Sequence, residues 1–212
     1  MRTLKFIAAL ACVGGSLAQT AQAPERIVEG RKLISKSLPA ATLQFTEAFK
    51  HAASRRFPVH GLADAEQHFF ADADAEGKIR RLFLIQFERY LPSNNATYQF
   101  PSPLTFDLNG RRFFHDTALI PDFMAGTSSD PANLKDFLER AGYKLPKEVA
   151  RIRMYHAPAS DRRSVMIIVY VEAITPSELP RGIKNGIAAD EQFPEWSKRM
   201  IQHVRENLTI LE

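Results

Sequence analysis

The sequence predicts an exported α+β domain. It would contain a mostly antiparallel, curved sheet of six or more strands, an N-terminal helix, one inserted helix, and a long amphipathic C-terminal helix packed on the sheet. Three observations support this prediction: a basic and then apolar N-terminus, recurring hairpin signals, and an apolar helical stripe at the end of the chain. Hairpins require antiparallel strands, and helices placed around such a sheet define the α+β class.

The first eighteen residues have the order of a secretory signal peptide. Arg2 and Lys5 precede the apolar run 6–13. This run is far shorter than the roughly 20 residues that span a bilayer. The small side chains of Ser16 and Ala18 place the expected cleavage after Ala18.

Two alternatives to this cleavage stay open. Ala23 offers a competing site, although a proline follows it. Cys12 is compatible with a lipid anchor, but Leu10 stands one place too close to it for a good lipoprotein signal. We expect residues 1–18 to be removed, and residues 19–212 to form a single domain in the periplasm or outside the cell.

Loss of the signal peptide changes the composition in two ways. Cys12 is the only cysteine, so the mature chain has no disulfide and no thiolate ligand. Removing Arg2 and Lys5 reduces 28 basic side chains to 26, against 24 acidic ones. So small an excess argues against a nucleic-acid partner, and no second apolar stretch is long enough to cross a membrane.

The first predicted element of the mature chain is a helix over 24–38. Pro24 suits its first turn, and Ile27 and Ile34 fall on one apolar stripe. Pro39 then ends the helix.

Strand patterns fill the middle of the chain. The densest β-favouring run is 82–85, within a predicted strand over 78–91. Asn109 and Gly110 form the strongest hairpin signal, because both turn positions require positive φ. The other predicted strands are 43–49, 66–73, 104–108, 111–115, 152–156 and 164–173.

Two more helices are predicted. The inserted helix starts at Asp130 and Pro131 and stops at Gly142. The C-terminal helix runs from Pro194 to Leu211, and such an apolar stripe must be buried. The stripe consists of Trp196, Met200, Ile201, Val204, Leu208 and Leu211.

Motifs of metal and nucleophilic chemistry are weak. The stretch 72–79 matches the first half of a calcium loop, but Phe83 stands where the bidentate glutamate is required. We therefore interpret it as a polar hairpin turn. The six histidines lack metal-ligand spacing, and the chain has no nucleophile elbow or phosphate loop. We assign no metal and no cofactor.

Three arginine pairs each follow a predicted hairpin turn. If the turns share one end of the sheet, the guanidinium groups form a rim suited to carboxylates or phosphates. Solubilising charges at strand ends are the simpler interpretation, and the one that we favour. The pairs are Arg80–Arg81, Arg111–Arg112 and Arg162–Arg163.

A candidate ligand-binding face comes from the hairpin of 152–156 and 164–173. The register that pairs Ile152 and Met154 with the apolar odd residues of the second strand leaves an opposite, polar face. This face is either a solvated surface, the simpler interpretation, or the polar end of a ligand cavity. The candidate residues are Arg151, Arg153, Tyr155, Tyr170, Glu172, Glu88 and Tyr90, to which the C-terminal helix adds Trp196 and Met200.

The sequence supports three hypotheses about function. We place first the binding of a small amphipathic or acidic ligand, because several small-molecule binders share this architecture, although a shared fold alone assigns no function. A cell-envelope protein-interaction module without a pocket comes second. An acid–base enzyme that uses Glu88, Glu172 or a histidine comes third, so we lean against catalysis.

Overall fold

A computed structural model describes residues 24–100, 102–123, 129–158, 162–181, 183 and 186–211. The expected signal peptide and its cleavage site lie outside this part of the chain. Strands dominate the described residues and form two antiparallel sheets, so the α+β expectation is corrected to a mostly β architecture.

The strands run in chain order from residue 27 to residue 211. They are β1 (Ile27–Glu29), β2 (Lys32–Ser35), β3 (Ala41–Phe45), β4 (Lys50–Val59), β5 (Ala63–Ala73), β6 (Ile79–Tyr90), β7 (Thr105–Leu108), β8 (Arg111–Ile120), β9 (Val149–His156), β10 (Ser164–Ala173), β11 (Ile187–Ala188) and β12 (Leu208–Leu211). The helices are α1 (Ser129–Arg140), α2 (Ala189–Gln192) and α3 (Pro194–Asn207).

The two sheets differ in size and role. The small sheet has the order β1-β2-β3-β12, and it joins the two ends of the described chain. The large sheet has the order β11-β8-β9-β10-β6-β5-β4, with β7 also paired to β8. Its centre consists of β6 and β10, two long and strongly apolar strands.

The main core lies between the inner face of the large sheet and the small sheet. Phe45 of the small sheet stacks on Phe70 of β5, with ring centroids 4.0 Å apart, and also contacts Phe83 of β6. Met200 and Val204 of α3 join the same fully buried cluster. Burial of each such side chain contributes about 1.5–3 kcal/mol, so this layer contact dominates the stability.

A second core covers part of the outer face of the large sheet. Leu134 and Leu138 of α1 pack there against Val171 and Leu82, and Phe69 contacts Phe137 at 5.5 Å. As a result, β5 is buried on both faces along most of its length.

The predicted N-terminal helix is wrong. Residues 27–35 form the hairpin of β1 and β2, in which Ile27 lies directly opposite Ile34. Two residues seven positions apart share a helix face, but they also become cross-strand partners when a tight turn lies midway between them. Gly30, with φ of +59°, supplies that turn.

The predicted long C-terminal helix is also wrong. The helical segment ends at Asn207, and the next four residues form β12 along β3. Leu208 and Ile210 are buried and alternate with exposed residues, which is the period of a strand. Trp196 is only partly buried, and the guanidinium of Arg199 lies 4.6 Å from its ring centroid.

Several local predictions are confirmed. Asn109 and Gly110 have φ of +49° and +77° and connect β7 to β8. Strands β9 and β10 form the expected hairpin pair. The inserted helix is α1, and Gly142 follows its end with positive φ.

The arginine pairs do not share one end of the sheet. Strands β8 and β10 both begin at the end where β6 stops, because Ser164 lies opposite Arg89 and strand directions alternate from β10 through β9 to β8. Arg80 and Arg81 lie near the start of β6, at the opposite end, and both bind Asp72 there.

The stretch 72–79 forms a hairpin turn, as predicted. The Asp74 carboxylate accepts the backbone N–H groups of Glu76 at 3.1 Å and Lys78 at 2.8 Å. The turn docks on the segment after α1, where the N–H of Lys144 donates to the carbonyl of Gly77 at 2.8 Å. A β-carbon at Gly77 would overlap the carbonyl oxygen of Gly142.

This close approach predicts that Gly77→Ala strongly reduces the free energy of unfolding. Gly110 is the matched control, because its φ is also +77° but its β-carbon would meet nothing within 4 Å. Both substitutions carry the left-handed penalty of about 1–2 kcal/mol. Urea denaturation should show a greater loss of unfolding free energy for Gly77→Ala than for Gly110→Ala, by roughly 2 kcal/mol or more. Equal losses would contradict the docking of this turn.

Candidate functional site

A cavity of about 550 Å³ opens at the end of the large sheet where β5 starts and β6 stops. Its inner-face wall consists of Glu66 of β5 and Phe87 of β6, which lie opposite each other in the sheet. Arg56 of β4 borders it on one side. The segment that precedes β1 and the loop between β2 and β3 form the facing wall.

Glu66 connects these two walls. Its side chain is only 2% exposed. One carboxylate oxygen accepts the backbone N–H of Arg26 at 2.9 Å and the Nε2 of His68 at 2.7 Å. The other accepts the backbone N–H of Glu25 at 2.8 Å and the Arg26 guanidinium at 3.2 Å.

These contacts keep the Glu66 carboxylate ionised. Burial alone would raise the pKa of Glu66, but the hydrogen bonds from His68, Glu25 and Arg26 lower it to about 2. Four donors thus satisfy a buried charge that would otherwise be costly.

The Arg26 side chain, like that of Glu66, has several contacts that fix its position. Its guanidinium lies 4.2 Å from the ring centroid of Phe87, and it also donates to the hydroxyls of Ser35 and Ser37 at 3.3 Å each. Burial lowers the pKa of Arg26, while its contact with Glu66 opposes that change. Arg26 is therefore a structural cation and not a free ligand-binding group.

A chain of hydrogen bonds runs from Glu66 through His68 of β5 to Ser54 and His51 of β4. His68 contacts the Ser54 hydroxyl through Nδ1 at 2.7 Å, and Ser54 contacts Nε2 of His51 at 2.8 Å. An ionised carboxylate can only accept hydrogen bonds. The contact with Glu66 therefore places a proton on Nε2 of His68. In the neutral ring, Nδ1 then accepts from the Ser54 hydroxyl, and Ser54 accepts from His51.

Ser54 and His68 meet because they are directly opposite in the pairing of β4 with β5. His68 is fully buried, whereas Ser54 and His51 are partly buried on the outermost strand of the large sheet. Burial, and then the neighbouring His68, lower the pKa of His51, which favours its neutral form.

Arg89 also lines the cavity. Arg89 is exposed, and it forms no ion pair with any residue in the described ranges. Arg56, in contrast, binds Glu25 at 2.5 Å and Asp64 at 3.7 Å. The apolar part of the lining includes Leu38, which is 46% exposed.

Glu88 and Tyr90 are the two predicted site residues that line this cavity. The Glu88 carboxylate accepts hydrogen bonds from Gln86 at 2.6 Å and from the Tyr98 hydroxyl at 2.7 Å. Tyr90 stacks on Tyr98, with ring centroids 4.4 Å apart. Glu88 is therefore committed to a local network on the outer face.

The predicted grouping of the hairpin residues is wrong. Tyr170 lies opposite Ile152, so it points to the inner face, whereas Arg151, Arg153 and Tyr155 share the outer face. The expected register was offset by one residue, which moves every side chain to the other face.

On the outer face the three β9 residues converge on one carboxylate. Asp116 of β8 accepts from Arg151 at 2.7 Å, from Arg153 at 3.1 Å and from the Tyr155 hydroxyl at 3.3 Å. Sequence reasoning named the three donors but not Asp116, the carboxylate that accepts their hydrogen bonds.

On the inner face, Tyr170 and Glu172 contact each other at the opposite end of the sheet from the cavity. Glu172 accepts from the Tyr170 hydroxyl at 3.2 Å, binds His203 at 2.6 Å and forms an ion pair with Arg199. Burial and the Glu172 charge raise the pKa of Tyr170. Together with Asp72 and its two arginine partners, Glu172 borders a second, more open cavity of about 460 Å³.

Trp196 and Met200 line neither of these two cavities. Met200 is fully buried in the main core. Their predicted role at a ligand site therefore has no support from these cavities.

The residues around Glu66 were missed by sequence reasoning. Glu66 and His68 are two positions apart in one strand, so they lie on the same face, and that spacing was a usable signal. Ser54 carried no signal, because its contact with His68 depends on the register between β4 and β5.

Comparisons of this chain with protein-family models, with curated proteins and with solved structures found no match. Within the described ranges, no helix is both long and apolar enough to cross a membrane. The same residues contain no group of three His, Cys, Asp or Glu side chains arranged to hold a metal ion.

The Glu66 contacts predict a specific acid sensitivity. A pKa of about 2 in the folded chain, against an ordinary value of 4.5, corresponds to about 3 kcal/mol of stability at neutral pH. Because the folded pKa is the lower one, this stability is complete above pH 4.5 and is lost as the pH falls towards 2.

Glu66→Gln should therefore be less stable than the wild type at neutral pH, and the difference should shrink between pH 4.5 and about 2. Chemical denaturation followed by circular dichroism at several pH values measures this. Glu76→Gln, which removes an exposed carboxylate of the hairpin turn, is the control. Parallel pH profiles for wild type and Glu66→Gln would contradict the assignment.

Proposed function

We propose that this protein binds a small amphipathic acid in the cavity at the end of the large sheet. The observation that carries the proposal is that one cavity contains both Arg89, which forms no ion pair with any described residue, and the exposed apolar side chain of Leu38. The cavity volume of about 550 Å³ lies within the range of roughly 300–1,000 Å³ that is usual for small-molecule sites.

The lining contains four arginines and four carboxylates, so the support for an acidic ligand comes from Arg89 alone. Arg26 and Arg56 are occupied by Glu66, Glu25 and Asp64, so their charges are already compensated. Arg89 adds a cation that the described acids do not neutralise. A guanidinium binds carboxylates and phosphates through paired N–H groups, so the acidic end of the ligand would lie beside Arg89.

The apolar part of the ligand would contact the apolar residues of the lining. These are Leu38, Phe87, Leu91 and Pro92. Leu38 would lose its contact with water when a ligand binds, and burial of its exposed surface contributes to affinity. This side chain borders a concavity and not an open sheet face, which favours a pocket over a flat interaction surface.

The proposal extends to location. We place this binding in the periplasm or outside the cell, on the support of the basic and apolar order of residues 2–13 and the small residues that follow.

The test uses decanoate as the acidic probe and decylammonium as a cationic probe of the same chain length. Isothermal titration calorimetry should show that decanoate binds more tightly. Arg89→Gln should weaken decanoate binding by about tenfold or more, because a charge-assisted contact contributes about 1.5–3 kcal/mol.

The control variant is Arg112→Gln, which removes an exposed arginine at the start of β8, outside the cavity lining. It should bind decanoate as the wild type does. No decanoate binding by the wild type, or equal affinities for wild type and Arg89→Gln, would refute the proposal.

A further inference from the structure

Three side chains on the inner face of β4 and β5 form an uninterrupted relay that ends on a hydroxyl. Glu66 contacts one ring nitrogen of His68 at 2.7 Å, and the other ring nitrogen contacts Ser54 at 2.7 Å. We infer that Ser54 is a nucleophile activated by His68, and that the protein cleaves esters of small acids at this serine.

The chemistry of the relay supports this assignment. A serine hydroxyl becomes a useful nucleophile when a base accepts its proton and a third group orients that base. His68 is the base, and Glu66 is a positioning residue that holds one tautomer and stabilises the imidazolium that forms. In this structure Nε2 of His68 contacts Glu66 and Nδ1 contacts Ser54. The chemistry requires only that one ring nitrogen contacts the carboxylate and the other contacts the serine.

His51 adds a fourth group. Its Nε2 lies 2.8 Å from the Ser54 oxygen, so a proton on that nitrogen holds the oxygen in place while its own proton points to His68. Two contacts thus fix the hydroxyl of Ser54, and its remaining lone pair is available for attack.

Ser54 lies beside the cavity and not in its lining, so the ester group of a bound substrate would have to extend past Arg56 to reach it. Arg56, which borders the cavity, and Ser54 are successive inward-facing residues of β4, about 7 Å apart by strand rise. β4 is the outermost strand of the large sheet, and a bulge lies between His51 and Ala53. Backbone N–H groups of such an edge have no strand partner and are the candidates to stabilise the oxyanion.

The proposed reaction has two balanced steps. The Ser54 oxygen bonds to the ester carbonyl carbon while its proton passes to His68, and the bond from that carbon to the alcohol oxygen then breaks as the alcohol takes the proton. A water molecule attacks the acyl-serine in the same way. It releases the acid and restores Ser54 and His68.

Covalent labelling tests the nucleophile directly. The purified protein is treated with an alkyl fluorophosphonate, digested with trypsin and examined by mass spectrometry. Cleavage after Lys50 and Arg55 releases the peptide 51–55, in which Ser54 is the only hydroxyl. The folded wild-type protein should carry the adduct on this peptide, and heat-unfolded protein should not.

Hydrolysis of p-nitrophenyl butyrate gives the second measurement. Ser54→Ala and His68→Gln should each lose about a hundredfold or more of the activity. Ser177→Ala, which removes an exposed hydroxyl outside the relay and outside the cavity lining, should keep both the adduct and the activity. Circular dichroism establishes that each variant is folded.

For Glu66→Gln, a positioning role predicts a fall in kcat with little change in KM. An unlabelled peptide 51–55 in folded wild-type protein would overturn the inference without any variant, as would equal hydrolysis by Ser54→Ala. Decanoate binding by Ser54→Ala is measured separately, so failure of the nucleophile and failure of the binding proposal are distinguishable.

Discussion

The buried carboxylate of Glu66 is the contact on which the arrangement of the two layers depends. It accepts hydrogen bonds from two successive backbone N–H groups, from the Arg26 guanidinium and from His68. The backbone donors belong to the segment that enters the small sheet, whereas Glu66 belongs to the large one. A buried charge is tolerated when all its hydrogen-bond partners are present, but loss of any partner leaves it unsatisfied and is strongly destabilising. The contact therefore specifies one position for the entering chain.

The position of the entering chain determines two features at the end of the large sheet where the cavity lies. The facing wall of the cavity contains Glu25 and Arg26, which Glu66 holds against the sheet. The ionised state of Glu66 also sets the direction of the hydrogen bonds through His68 and Ser54. The shape of the cavity and the chemistry beside it therefore have a common origin in one side chain.

Local signals in the sequence predicted the elements well where a turn required particular residues. Asn109 and Gly110 identified a hairpin because few other residues accept positive φ at both positions. For α1 the sequence signals were Asp130 and Pro131 near its start, an apolar stripe and Gly142 after its end. These features depend on neighbours along the chain, so one sequence is enough to recognise them.

The predictions that were wrong depend on contacts between segments that are distant in sequence. Ile27 and Ile34 fit a helix and a hairpin equally well by spacing, and only the small sheet decides between them. Leu208 continues the apolar stripe of α3, yet pairing with Phe45 extends the backbone there. Tertiary contacts override local preference in both cases.

The candidate site shows the same limit. Sequence reasoning named Glu88 and Tyr90, which line the cavity. It missed Glu66 because the partners of that side chain lie about forty positions earlier in the chain. It grouped Arg151 with Tyr170 because a register error of one residue exchanges the two faces of a strand.

Amide hydrogen exchange at two positions tests the central role of Glu66 most directly. The N–H groups of Glu25 and Arg26 should exchange at least about a hundredfold more slowly than in an unstructured peptide, although no strand contains them. Glu66→Ala should remove most of this protection, while the amide of Tyr170 in the centre of the large sheet stays protected. Exchange of the Glu25 and Arg26 amides at the unstructured rate in the wild-type protein would contradict the account.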